Sequence, residues 1–358
     1  MNAAKSSRSS GEVKEIKSSS SAFTVETEDY HTVGEPFRIV TNPPVAIPGK
    51  TVKDKREAAL STPEIDNIRK LMCLEPRGHA DMYGGLIVPP DDEDAHFGVL
   101  FWDRHGFSTA CGHGTIALGT WAVNSGLVEM DPSGITDVVI DVPSGRVTAS
   151  VHTDKDGRVE EVDFVNVPSR FVGDNVILKT SECACKATLG WGGALYVGIE
   201  AKQFGLTVTP KNLTKLIELS QEIKVALKND SRTEHPSDSR LSGVYGVIFF
   251  EDFGTLPTGE LHQRNVTIFA DGQVDRSPCG SGSSSRMAVL NATGKLNDSQ
   301  VFLHDSIIGS RFEGRILKKT TEYNQPAIIP KITGNAYKIG HATFEVDSND
   351  PITPGFLL

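Results

Sequence analysis

The sequence predicts an α+β fold of two pseudo-symmetric lobes with the active site in the cleft between them, and three observations carry that prediction. Strand-like and helix-like runs are mixed along the chain without the regular alternation of a doubly wound parallel sheet. At 358 residues the chain is long enough for two lobes of ordinary size, each with its own core. Most telling is a repeated word. Ala110-Cys111-Gly112-His113-Gly114 returns as Pro278-Cys279-Gly280-Ser281-Gly282, with the two cysteines 168 positions apart. That spacing is close to half of the chain that follows its first 22 residues, the pattern of an internal duplication. Two such loops meet naturally in a cleft between lobes.

Taken in order, residues 1–22 carry Ser, Lys and Glu without an apolar stretch and predict a disordered tail rather than a secretory signal; Glu12 and Glu15 also spoil a mitochondrial transit pattern. A first lobe is expected over residues 23–166 and a second over 167–345, with 346–358 returning to the first. Alternation on both sides of Gly34 predicts two strands, and Val52 to Leu74 reads as one helix through Ile65, Ile68 and Leu71. "GGLIVPP" and "AHFGVLFWD" read as strands. From Gly114 to an Asn-Ser-Gly stop the spacing turns helical, so Cys111 stands where a loop enters a helix. After Cys279, a Gly-Ser loop is expected to lead into a helix beginning near Arg286. "NLTKLIELSQEIKVALKN" is a further helix with Asn212 as its N-cap, and "VYGVIFFED" a further strand.

Composition narrows the function. Hydrophobic residues make up 38% and charged residues 23%, and no apolar run approaches the roughly 20 residues that a membrane helix needs. A net charge of −10 disfavours a nucleic-acid partner, which calls for clustered Lys and Arg. A small-molecule substrate fits better. Five scattered cysteines, Cys73, Cys111, Cys183, Cys185 and Cys279, read as free thiols of a cytoplasmic enzyme.

A thiol acts as base or nucleophile only as thiolate, and at a helix N-terminus its pKa can fall to roughly 3.5–7.5. Both repeated cysteines are expected in that setting, beside glycines whose N–H groups can turn inward to hold a carboxylate. Two thiols on opposite faces of one carbon suggest proton removal on one face and delivery on the other, which is racemisation or epimerisation. A P-loop is disfavoured because "CGSGSSSR" lacks its Gly-Lys-Ser/Thr ending. Zinc on Cys111-Gly112-His113 and Cys183-Ala184-Cys185 is disfavoured by spacing, and Cys73 is expected to pack in a core. No metal or cofactor is expected.

In its motifs the chain resembles the proline racemase superfamily: "HTVGEPFRIV", "EPRGHADMYGG", "ACGHG", "WGGALYVGI", "DRSPCGSG" and "GHATFEVDSNDPITPGFLL". The resemblance covers nearly everything after the tail. It implies the two-lobed fold of diaminopimelate epimerase, often as a homodimer, and cofactor-independent chemistry. It implies that Cys111 and Cys279 are the paired acid and base, that Gly112, His113, Gly280 and Ser281 bind the substrate carboxylate, and that Asp275 holds the ring nitrogen. Phe269 and Tyr83 fall where the family walls the pyrrolidine ring, and His79 matches the proline and 3-hydroxyproline branches.

Tyr83 stands where proline racemases typically have Phe, which points to a hydroxylated ring. Ala110, Val33 and Ser281 depart from the common Met, Gly and Thr. Relatives that dehydrate trans-3-hydroxy-L-proline usually carry Thr in place of Cys279, so the thiol favours inversion of proline or a hydroxyproline, with trans-3-hydroxy-L-proline dehydration as the alternative. A binding protein that kept the clamp without the chemistry is disfavoured, since both thiols are present.

Overall fold

A computed structural model describes residues 23–358, so the expected tail lies outside the described residues. In the first lobe, strands Glu35–Val40, Gly84–Val88, Phe97–Trp102, Ile135–Val142, Gly145–Thr153 and Val159–Val165 pair in succession as parallel, antiparallel, parallel, antiparallel and antiparallel. The second lobe repeats this pattern with Leu195–Glu200, Val244–Thr255, Leu261–Phe269, Phe302–Ser306, Arg311–Glu322 and Gln325–Gly334. Each series is extended by two antiparallel strands. Phe23–Thr32 and Ala336–Val346 extend the first, and Ala184–Trp191 and Ser169–Lys179 extend the second. A short strand, Gln273–Asp275, pairs beside Leu261–Phe269 and carries the chain toward Cys279.

The helices occupy equivalent crossovers. Helices α1 (Val52–Ser61) and α2 (Pro63–Cys73) fill the first parallel connection of the first lobe, and α3 (Gly112–Asn124) fills the second. Helix α4 (Leu213–Leu227) and helix α5 (Gly280–Ala292) take the corresponding places in the second lobe. Both α3 and α5 run through the middle of their lobes, buried all round from Gly112 to Val123 and from Gly280 to Leu290. For α3 the reason is an apolar surface on every side. For α5 it is small size and satisfied hydroxyls.

The Gly-Ser run expected as a loop is therefore the first part of α5. Ser284 donates to the Gly280 carbonyl at 2.9 Å, and Ser283 Oγ bonds His304 Nδ1 at 2.8 Å. Serines that bond within their own turn or to a buried neighbour have no reason to loop outward. The single helix expected over 52–74 is broken at Thr62, because Pro63 lacks the N–H that would continue α1 and holds Thr62 extended. Asn212 stands before α4 without capping it; its amide donates to the Thr207 carbonyl instead. The return to the first lobe begins at Ala336, ten residues before the expected point, since Ala336–Val346 pairs along the whole of Phe23–Thr32. The last residues also reach the first lobe, where Phe356 bridges Glu75.

The lobes meet where α3 and α5 begin. A methyl group at Gly112 would lie 2.5 Å from the Gly280 Cα, and one at Gly280 would lie 2.7 Å from the Gly112 Cα. Backbone faces backbone here, so neither side can yield by turning a side chain. Gly112→Ala is expected to cost about 1–3 kcal/mol in urea or thermal unfolding, the range for overpacking a tight interior. Unchanged stability would show that the helix ends separate easily.

Candidate active site

Cys111 and Cys279 are the residues that cap the two facing helices. The Gly114 N–H donates to Cys111 Sγ at 3.1 Å, and the Gly282 N–H donates to Cys279 Sγ at 3.3 Å. Both cysteines line one small cavity. Its walls include Gly112, His113, Asp275 and Ser281, together with the rings of Tyr83 and Phe269. Gly280 stands at the first turn of α5, against Gly112.

The two caps differ in backbone. Cys111 is extended at φ −154°, whereas Cys279 has φ +65°, a region that costs a side-chain-bearing residue roughly 1–3 kcal/mol. Ser277 holds that conformation by accepting the Cys279 N–H at 3.0 Å. The strain aims a thiol rather than a hydrogen atom into the cavity.

Burial dominates the electrostatics. It pushes both the Cys111 and Cys279 thiols well up, against the helix N–H groups that favour thiolate, and the nearby Asp275 carboxylate pushes in the same direction. The expected lowering is thus reversed: a helix end is weaker than full desolvation. Burial likewise depresses His113 to about 3, so its ring is neutral where it lies 3.5 Å from Cys111 Sγ. Asp275 is raised to about 6 by burial, although Ser277 donates to it through N–H at 2.8 Å and Oγ at 2.7 Å. Its neighbour Glu35 is also raised, first by burial and then by the Asp275 charge.

The aromatic wall is larger than the sequence indicated. Phe269 packs edge-on to Tyr83 and stacks on Tyr245, each at 5.7 Å between ring centres. Tyr83 bonds Ser108 Oγ at 2.5 Å and Tyr245 at 3.3 Å, and Tyr245 donates toward Asp103 at 3.4 Å. On the other side Tyr196 bonds Ser281 Oγ at 2.7 Å and receives the Cys279 thiol at 3.7 Å. Tyr196, Tyr245, Ser108 and Glu35 were missed as site residues. Tyr196 lies within "WGGALYVGI" and Glu35 within "HTVGEPFRIV", so the motifs pointed near them; Tyr245 sits in an ordinary strand pattern and gave no signal.

His79 does not line the cavity. Its ring turns back to its own loop, where Nδ1 accepts the Asp81 N–H at 3.2 Å. Cys73 lies in the core, pushed up to about 12 by burial. Cys183 and Cys185 are on the far side of the second lobe. Among the described residues no group of three or more His, Cys, Asp or Glu could hold a metal ion, and no helix is long and apolar enough to cross a membrane.

Comparison with known proteins agrees with this architecture. The model of the proline racemase family matches residues 28–357. The chain is 40% identical to a trans-3-hydroxy-L-proline dehydratase of Bacillus cereus over 332 residues, covering 93% of this chain and 97% of that one. It is 39% identical to a 3-hydroxyproline 2-epimerase of Burkholderia multivorans over 96% of this chain and all of that one. The structure of a hydroxyproline epimerase from Agrobacterium vitis with bound trans-4-OH-L-proline superposes with a TM-score of 0.84 at 30% identity, covering 94% of this chain and 96% of that one. An α+β chain of two lobes whose matches run from end to end of these enzymes, it belongs to the proline racemase family and is an enzyme.

Proposed function

We propose that this enzyme inverts the α carbon of a hydroxyproline, or of proline, with Cys111 and Cys279 as the two bases. The observation that carries the reading is the pair of thiols that cap two facing helices and line one small cavity. We also assign the fold to the diaminopimelate-epimerase-like class, on the duplicated eight-stranded lobes. The proposed carboxylate site is the meeting of helix N-termini at Gly112, His113, Gly280 and Ser281, where N–H groups and positive helix ends converge. The ring nitrogen then faces Asp275, and Tyr83 and Phe269 flank the ring.

In this reading the substrate switches the thiols on. Its ring ammonium cancels the Asp275 charge that helps hold both sulfurs protonated. As the substrate binds, one thiol loses its proton to solvent; that thiolate takes the α proton and the opposite thiol gives its own proton to the other face, so the charge states exchange and no redox partner is required. The intervening carbanion-like state is stabilised by N–H donors in a site closed to water.

A second reading is dehydration of trans-3-hydroxy-L-proline. Its specific support is the Tyr83, Ser108 and Tyr245 hydroxyl chain ending at buried Asp103. One cysteine takes the α proton, a hydroxyl of that chain protonates the departing C3 hydroxyl, and water leaves; the enamine then tautomerises to a cyclic imine. The thiol of Cys279 favours the first reading.

In heavy water, inversion is expected to place deuterium at the α carbon, followed by NMR, and Cys279→Ser is expected to lower the inversion rate about 10²-fold or more. A wild-type rate in that variant would remove the two-base assignment. The acid limb of kcat/KM should fall near pH 6: below it the Asp275 carboxyl is neutral and no longer attracts the ring ammonium, and above it the carboxylate does. Asp275→Asn is expected to be weak and to lose that limb; an unchanged limb would place its origin elsewhere. For dehydration, an imine-reductase-coupled assay on trans-3-hydroxy-L-proline is expected to show turnover that Tyr83→Phe reduces at least tenfold. No imine from the native enzyme would eliminate this second reading.

A further inference from the structure

Helix α5 carries a second feature two turns beyond Cys279. Among the described residues four arginines are buried, and three have a carboxylate: Arg38 pairs with Asp29 at 2.8 Å, Arg69 with Asp66 at 2.6 Å and Arg170 with Glu322 at 3.2 Å. Arg286 is only 3% exposed and makes no ion pair. Its Nε donates to Gln263 Oε1 at 2.9 Å, its Nη1 lies 3.5 Å from Thr188 Oγ1, and its plane covers the Phe250 ring at 3.8 Å. Neutral partners orient a guanidinium without neutralising it, and a buried unpaired charge is costly. Burial pushes Arg286 down to about 10, with Asp252 and Glu200 opposing that at longer range.

The guanidinium borders an open-sided hollow of about 260 Å³. Lys186 and Lys295 stand at the same hollow, and neither makes an ion pair; Asp174 is its one acidic neighbour. The absence of a side chain at Gly198 helps keep the floor clear, since a methyl group there would come within 2.8 Å of Thr188 Oγ1 and 3.6 Å of Arg286 Nη1. Among the residues lining the hollow, three cations face one carboxylate, with Asp252 and Glu200 acting on Arg286 from outside it.

We infer that this hollow binds a small oxyanion, a phosphate or a carboxylate group, which supplies the counter-charge of Arg286. Arg286 gives planar, forked donors to the oxyanion, and the two lysines close over it as mobile point charges. The site is separate from the catalytic cavity and stands whether the enzyme inverts or dehydrates its substrate. Because the anion binds the folded chain, it stabilises that chain according to its concentration over Kd.

The test is calorimetric titration of the full chain with inorganic phosphate and, separately, with malonate, at constant ionic strength set by sodium chloride, together with thermal unfolding in the same buffers. A saturable site for phosphate, malonate or both is expected, with a rise in Tm, and the anion that saturates names the head group. The Lys186→Ala/Lys295→Ala double variant, on exposed positions, is expected to raise Kd at least fivefold while keeping α-proton exchange. Arg286→Met, which keeps the packing on Phe250 without the charge, is expected to abolish binding. Ser281→Ala, altered in the catalytic cavity, should bind as the native chain does. No saturable binding by either anion, or binding equally tight in the double variant, overturns the proposal; so does binding lost in Ser281→Ala, which would place the anion in the catalytic cavity. If Arg286→Met fails to fold, the double variant decides alone.

Discussion

Everything in the centre of this molecule depends on two helices being allowed to begin against one another. The contact between Gly112 and Gly280 is main chain on main chain, and the first side chain on either helix would break it. Ordinarily two positive helix ends would not be brought face to face in a dry interior. Under the proposed reading, these converging helix ends are what receives the substrate carboxylate. The same contact draws Cys111 and Cys279, one residue before each glycine, to opposite sides of one small space. Closing the lobes and bringing two thiols to one cavity are consequences of a single steric fact.

A closed site has an electrostatic cost, and the thiols register it. Their helix-capping N–H bonds favour thiolate, yet burial outweighs them and Asp275 adds to the burial. Burial therefore favours the protonated thiol at both sulfurs. A reactive thiolate with no substrate to act on would be open to oxidation. Under the proposed reading the ring ammonium restores reactivity only when a substrate occupies the cavity. Burial raises both Asp275 and Glu35, and the charge of each opposes ionisation of the other, so the pair favours a single negative charge there.

Much of the fold was legible because duplication repeats a signal. Either Cys-Gly-x-Gly word alone is a common loop, but two words followed by similar helix patterns and similar stops require similar surroundings, and the strand pairings of the lobes do repeat step for step. The local errors have local causes. Pro63 divides a helix whose apolar spacing runs on through it, and the serines of α5 look like loop residues until His304 and the Gly280 carbonyl are in place to receive them. In the cavity, residues inside a repeated word were readable; Tyr245, brought in by a strand with ordinary alternation, was not. The thiol charge state was misread because helix capping is local and visible in sequence, whereas burial is contributed by the other lobe.

The repetition is also incomplete, and the differences fall where a ring would lie. Cys111 caps its helix in an extended conformation with neutral His113 beside it; Cys279 does so at φ +65°, with hydroxyls from Ser281 and Tyr196 at hand. The two thiols therefore have unequal neighbours, an imidazole ring beside Cys111 and two hydroxyl groups beside Cys279. Two identical lobes would present two identical faces, which suits exchange between mirror images of a symmetric environment. A substituted ring is not so treated, because its hydroxyl stays on one side while the α proton changes sides. The unequal caps, and the Tyr83 hydroxyl chain that belongs to the first lobe alone apart from Tyr245, suit a substrate whose two forms differ in shape. Under the proposed reading, duplication supplies the two opposed bases, and divergence between the copies gives their surroundings the inequality that a hydroxylated ring would require.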